Sequence, residues 1–238
     1  MRPWKGRLNL HLNIELLLLS VCFVIVASAQ TPNAQQQSGP VLQVSYIAGA
    51  PLTAEQVEER IHFTADRTPL TRTVQSKIYR DGAGRIRLEW SIEGPDGASY
   101  PIVYLIDPVA RFTAILIPGK VAQRTAVTGP EAFRVAFPAI GEELPNVQWH
   151  ANTEELGKRT IEGIEAVGTR LTRICQDQPS LRASDERWVS KDLGITLLAE
   201  ASGPNWKHTV SVQKIAHGEP DAALFTIPSD YTIQDSGR

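Results

Sequence analysis

From Arg85 to Glu93 apolar and polar residues alternate without a break. Ile86, Leu88, Trp90 and Ile92 fall on one side, and Arg85, Arg87, Glu89, Ser91 and Glu93 on the other. A period of two belongs to a β-strand with one dry and one wet face. A helix would scatter the same four apolar residues around its circumference. Each buried member of the row contributes ~1.5–3 kcal/mol, and a one-residue slip would expose all of them, so the pattern also fixes the register. The preceding segment, Val74 to Arg80, runs into Asp81-Gly82-Ala83-Gly84, whose glycines accept positive φ. The two segments therefore predict a hairpin.

The same grammar recurs along the chain. Ile102 to Ile106 meets Asp107-Pro108, and Phe112 to Ile117 returns to Pro118-Gly119. Arg159 to Ile161 turns at Glu162-Gly163 into Ile164 to Ile174, and Glu186 to Ser190 turns through Lys191 to Gly194 into Ile195 to Ala201. Trp206 to Ile215 adds a strand with His208, Val210 and Val212 on one face. Short strands joined by tight turns predict a mainly β fold: a single curved antiparallel sheet, half-barrel-like, with one or two short helices. Thr53 to Phe63 fits a strand or an amphipathic helix, and the strand is preferred because strand-like Thr71 to Tyr79 follows after Asp66 to Pro69. Pro130 to Phe137 reads as a short helix with proline in its first turn. Pro138 to His150, rich in Pro, Gly and Asn, reads as a loop. No repeat stands out, and residues 41–238 read as one antiparallel β domain.

The N-terminus bounds the compartment. Arg2, Lys5 and Arg7 precede an apolar run from Leu16 to Val26, and Ala27-Ser28-Ala29 supplies small residues for signal cleavage between Ala29 and Gln30. Residues 1–29 thus read as a signal peptide. The run is too short to span a bilayer, which takes ~20 residues. An uncleaved anchor and lipidation at Cys22 are the alternatives. Thr31 to Pro40 is polar and without period, so residues 30–40 read as a disordered leader. Removing three positives and Glu15 leaves 21 basic and 25 acidic side chains. That balance excludes a basic nucleic-acid binder and leaves no polybasic surface for anionic membranes. The expected protein is exported, periplasmic or extracellular, with no stable membrane span after cleavage. Cys175 then stands alone, reads as a small buried hydrophobe, and forms no internal disulfide.

Local chemical signatures are few. His62, His150, His208 and His217 form no metal-ligating spacing, and each reads as a surface or loop histidine, with His208 partly buried. No nucleophile elbow, phosphate loop or dinucleotide fingerprint occurs. Glu58-Glu59, Glu142-Glu143, Glu154-Glu155 and Asp185-Glu186 are neighbours that point to opposite faces of a strand, so they read as solvated surface. The sequence thus assigns no catalytic residue, cofactor or metal ligand. Trp90, Tyr104, Trp188 and Trp206 line an apolar pocket on the sheet, or are plain core. Leu224, Phe225 and Ile227 read as a terminal apolar clasp.

Ser76-Lys77-Ile78-Tyr79-Arg80-Asp81-Gly82-Ala83-Gly84-Arg85, Ile106-Asp107-Pro108, Leu156 to Ala166, Glu186-Arg187-Trp188 and the ending Glu219 to Tyr231 resemble, in this order, segments of an uncharacterised family of secreted bacterial proteins. More distantly, the meander and the Leu-Phe…Pro ending are similar to the half-barrel of the lipoprotein carriers LolA, LolB and RseB. That resemblance implies a strongly curved antiparallel sheet whose concave face holds acyl chains. The function expected is a non-enzymatic β module of the cell envelope that binds an apolar or lipid-like ligand on the concave face. The alternatives are a protein-interaction module meeting another envelope protein and a hydrolase with dispersed active residues.

Overall fold

The computed structural model describes residues 47–94, 96–127 and 148–236, all within the compact unit Gly39–Arg238. The signal and leader, the cleavage point at Ala29 and Gln30, Cys22, and the helix expected at Pro130 to Phe137 lie outside these residues.

Twelve strands form one sheet: β1 (Leu52–Phe63), β2 (Pro69–Arg80), β3 (Ile86–Glu93), β4 (Ser99–Asp107), β5 (Phe112–Ile117), β6 (Val121–Ala126), β7 (Trp149–Ile161), β8 (Ile164–Cys175), β9 (Arg182–Ser190), β10 (Ile195–Gly203), β11 (Trp206–His217) and β12 (Thr232–Asp235). Their spatial order is β12-β6-β5-β4-β3-β2-β1-β11-β10-β9-β8-β7. Two antiparallel meanders, β1 to β6 and β7 to β11, are joined where β1 pairs with β11. An open twisted sheet of this width curls rather than staying flat, and this one is curved. The mainly β, single-sheet reading thus describes the fold, and the segment from Thr53 to Phe63 is a strand.

Three features depart from the sequence reading. Trp149 and His150 belong to β7, not to a loop, because they pair with Cys175 and Ile174. Strand β6 was not expected. The chain ends in β12, which pairs parallel with β6 and so departs from a purely antiparallel sheet. Among the described residues the only helical element is a 3-10 turn, Ala222–Phe225, capped by the Asp221 carboxylate, which accepts from the Ala223 N–H at 2.9 Å.

The two faces of the sheet can be followed by register. On one, here the Leu88 face, Ile78 opposes Leu88, Arg80 opposes Ile86 and Leu52 opposes Arg80. Leu52, Ala54, Ile78, Ile86, Leu88, Ile106 and Val212 form a fully buried core there. The core continues through Ala166, Trp188, Leu193, Ile195 and Leu197 around the β-bulge between Thr196 and Leu198. On the other, the Arg87 face, a second cluster of Leu105, Ala114, Leu116 and Ala122 is closed by Ile227 and Tyr231 from the C-terminal segment.

That segment is held at several points. The Glu219 carboxylate accepts from the Gly82 N–H at 2.9 Å, and Arg87 Nη1 donates to the Leu224 carbonyl at 2.8 Å. Phe225 is buried beneath Arg85, whose guanidinium carbon stands 5.1 Å from the ring centroid. The apolar clasp read at Leu224, Phe225 and Ile227 has this geometry. The Tyr-Arg-Asp-Gly-Ala-Gly-Arg motif is likewise explained by the β2–β3 turn. Asp81 Oδ1 accepts from the Ala83 and Arg85 N–H groups at 3.0 and 2.8 Å. Asp81 Oδ2 pairs with Arg85, and Gly84 takes φ +83°. Arg80 is fully buried, donating to the Ala50 carbonyl through Nε at 2.8 Å and Nη2 at 2.6 Å, and burial pushes its guanidinium down to about 10.

Candidate functional site

The four aromatic residues singled out from the sequence do not all come together. Trp90 opposes Ile102, and Tyr104 opposes Leu88, so Trp90 and Tyr104 are diagonal neighbours on the Leu88 face. Diagonal positions of this kind stand ~7–8 Å apart, within reach of aromatic side chains. Both rest on the main core while remaining partly exposed. Ile115 opposes Tyr104 from β5 and is 37% exposed. Ile92 and Tyr100 form the next pair along the same face, both half-buried. The result is an apolar stripe over β3, β4 and β5 that core packing supports from one end and does not close.

Trp206 lies on the same face, opposite His62. It is six residues along β11 from Val212, which is in the row of Trp90 through Ser76 and Gln56. At ~3.3 Å per residue that is ~20 Å. Its indole covers Gly203, and a β-carbon there would collide with the ring.

Trp188 opposes Leu198, which opposes Ser211, which opposes Val57. The parity of that chain of pairs places it on the side opposite Trp90. It is 6% exposed and closed in a stack, with Gly168 beneath it and the Arg159 guanidinium carbon 4.1 Å from its ring centroid. Its Nε1 donates to Glu186 Oε1 at 2.7 Å. Burial raises the Glu186 pKa, but the indole N–H and Arg170, at 2.7 Å, outweigh it and hold the carboxyl below its ordinary value.

A buried polar cluster on the Leu88 face was not legible in the sequence. Gln56 and Glu58 are fully buried, and His208 is 8% exposed. His208 Nε2 and Glu58 Oε1 lie 2.7 Å apart, and Arg60 Nη2 reaches the same oxygen at 2.5 Å. Glu58 and Asp185 therefore correct the solvated-surface reading of their pairs. Asp185 is buried and held by Arg187 at 2.6 and 2.8 Å. The reason is positional. Even-numbered residues of β1 point to the core side, so Glu58 is enclosed while Glu59 is half-exposed. Among the described residues no hydroxyl or thiol hydrogen-bonds His208, so the pair is not part of a nucleophile relay.

Among the described residues no group of three or more His, Cys, Asp or Glu could hold a metal ion. His62, His150 and His217 are exposed, and Cys175 is buried at the end of β8. An open cleft of about 340 Å³ lies across Thr172, Ser184 and Ser202, which are in one register row, with Ser180, Arg182 and Pro204 at its rim. It is polar, and the four aromatic residues do not line it.

No family model matches this chain, and no curated protein matches it. Solved structures similar to it include MucB in the MucA/MucB complex of Pseudomonas aeruginosa, at 14% identity over 77% of this chain and 58% of that one, with a TM-score of 0.34. A LolA superfamily protein from Nitrosomonas europaea matches at 8% identity over 76% of this chain and 91% of that one, TM-score 0.34. LprF from Mycobacterium bovis matches at 12% identity over 77% and 91%, TM-score 0.33. The chain spans little more than half the length of the MucB chains it matches. The carrier-type resemblance read from the sequence has its counterparts in these folds.

Proposed function

We propose that this chain is an exported, non-enzymatic binding module of the cell envelope that takes an apolar or lipid-like ligand on the Leu88 face of its sheet. The observation that carries the reading is the stripe of Trp90, Tyr104 and Ile115, with Ile92 and Tyr100 beside it: large apolar side chains in register on three neighbouring strands, left partly in water. Water against such a surface is unfavourable by about 25 cal/mol per Å², and an acyl chain lying across the strands would displace it. A rigid sheet keeps the stripe in shape before the ligand arrives, which lowers the ordering loss on binding. Export is supported by the cleavable signal that the sequence contains.

Titration of the cleaved protein with a fluorescent fatty-acyl probe tests this. The expected result is saturable binding with a rise in probe emission, weakened at least tenfold in Trp90→Ala with an unchanged urea midpoint. Absence of saturable binding would sink the reading.

A second reading, an interaction module for another envelope protein, is favoured by one feature. β7 is an edge strand of 13 residues, nearly all exposed. An extended segment can add to such an edge. The β-bulge between Glu155 and Gly157 and the charges of Glu154, Glu155, Lys158 and Arg159 are the usual devices that discourage such pairing, so this reading ranks second.

A further inference from the structure

On the Leu88 face, Arg60 of β1 has Arg72 of β2 directly opposite on one side and His208 of β11 directly opposite on the other. Three basic side chains thus lie in one row across three adjacent strands. Directly opposed residues have their β-carbons ~4.5–5.5 Å apart, and like charges at that spacing destabilise a sheet. Glu58 is the carboxylate placed between Arg60 and His208, within 2.7 Å of both, and it is fully buried. Nothing comparable faces Arg72. It is exposed and has no hydrogen bond or ion pair among the described residues. Its neighbours along β2 on the same face are Leu70 and Val74, and His62 is the next residue of this face on β1 beyond Arg60. The other carboxylate buried on this face, Asp185, is taken by Arg187.

This cationic row sits on the same face as the apolar stripe and close to it. Trp90 opposes Ser76, and Ser76 is four residues from Arg72 along β2, ~13 Å. Ser76 is itself buried, and its hydroxyl has no hydrogen-bond partner among the described residues. One face therefore offers, in order along β2, an open guanidinium, a half-buried valine, an unmet hydroxyl and then the aromatic stripe.

We propose that the ligand is an anionic amphiphile, with its acidic headgroup on the Arg72–Arg60 pair and its chain running past Val74 and Ser76 onto Trp90, Tyr104 and Ile115. The inference rests on the apolar-ligand reading and adds the headgroup to it. A carboxylate or phosphate on the pair removes the like-charge opposition that the fold otherwise leaves standing, and two guanidinium groups suit such an anion well. The Ser76 hydroxyl supplies a donor for an ester or acid oxygen.

The test compares three probes on the cleaved full-length protein by calorimetry: palmitate, the uncharged monopalmitoyl glycerol, and inorganic phosphate. Palmitate is expected to bind at least tenfold more tightly than the glyceride. Arg72→Gln is expected to weaken palmitate about tenfold and leave the glyceride unchanged. Arg72 is exposed, so this variant keeps its fold, which a matching urea midpoint verifies. Arg72→Lys restores part of the loss. Equal binding of palmitate and glyceride, or equal loss of both in Arg72→Gln, overturns the headgroup site and leaves the apolar reading intact. Phosphate binding alone, dependent on Arg72, overturns the amphiphile in favour of a plain anion site. Failure of all three probes overturns both readings.

Discussion

Trp188 lies flat across Gly168, its partner on the neighbouring strand, with three ring carbons 2.7–2.8 Å from where a β-carbon on that glycine would stand. A rigid indole ring cannot yield as a flexible chain end does. Gly168→Ala should therefore force the ring out of its stack under Arg159 and destabilise by ~1–3 kcal/mol. The midpoint of urea unfolding, at constant slope, measures it.

Phe225 fastens the C-terminal segment to the Arg87 face. It is 3% exposed beneath Arg85. Phe225→Ala should cost ~3–5 kcal/mol and, by releasing Ile227 and Tyr231 from the second cluster, raise amide exchange in β12 and β6. A change within ±0.5 kcal/mol would show that the segment is not anchored there.

Glu58 and Glu59 are neighbours with opposite environments, which makes them a matched pair of probes. Removing Glu58 leaves Arg60 and His208 facing each other over a buried site, and Glu58→Ala should cost ~3–5 kcal/mol. Glu59 is half-exposed and on the other face, and Glu59→Ala should stay within about ±0.5 kcal/mol. Thermal unfolding of the two variants side by side gives the comparison.

Glu186 gives the fold an acid limb. Its carboxyl is held below the model value of 4.5 because Trp188 and Arg170 favour the charged form more than burial disfavours it. A carboxylate lowered in the folded state stabilises fully above its unfolded pKa, and that contribution is lost as pH falls from about 4.5 through the lowered folded value. Glu186→Gln should flatten this part of the stability profile and leave the slope above pH 6 unchanged. An unaltered acid limb in the variant would contradict the role given to the Trp188 and Arg170 contacts.

Much of the sheet was legible because its strands have one dry side. Ile86, Leu88 and Ile78 alternate with charged neighbours, and turn residues such as Asp81, Gly84, Glu162 and Gly163 mark the ends. Glu162 and Gly163 both take positive φ, as a two-residue hairpin turn requires. Where a strand is wet on both sides the signal fails. β7 is exposed at nearly every position, and β12 carries a single aliphatic residue, Ile233, so neither has a pattern to read. The polar cluster was hidden for a different reason. Glu58, Arg60, His208 and Asp185 come from strands as far apart in sequence as β1 and β11, and only the register of β1 against β11 makes Glu58 a partner of His208. The same holds for the aromatic residues. Trp90 and Tyr104 share a hairpin and so share a face, whereas the placement of Trp188 depends on three successive strand pairings.

The most direct test of a ligand-binding Leu88 face is fluorine NMR of the cleaved protein labelled with 5-fluorotryptophan, titrated with palmitate. The account predicts that the Trp90 resonance shifts in a saturable way while the Trp188 resonance, closed between Gly168 and Arg159, stays in place. A titration that moves Trp188 and leaves Trp90 unchanged, or that moves neither, would contradict it.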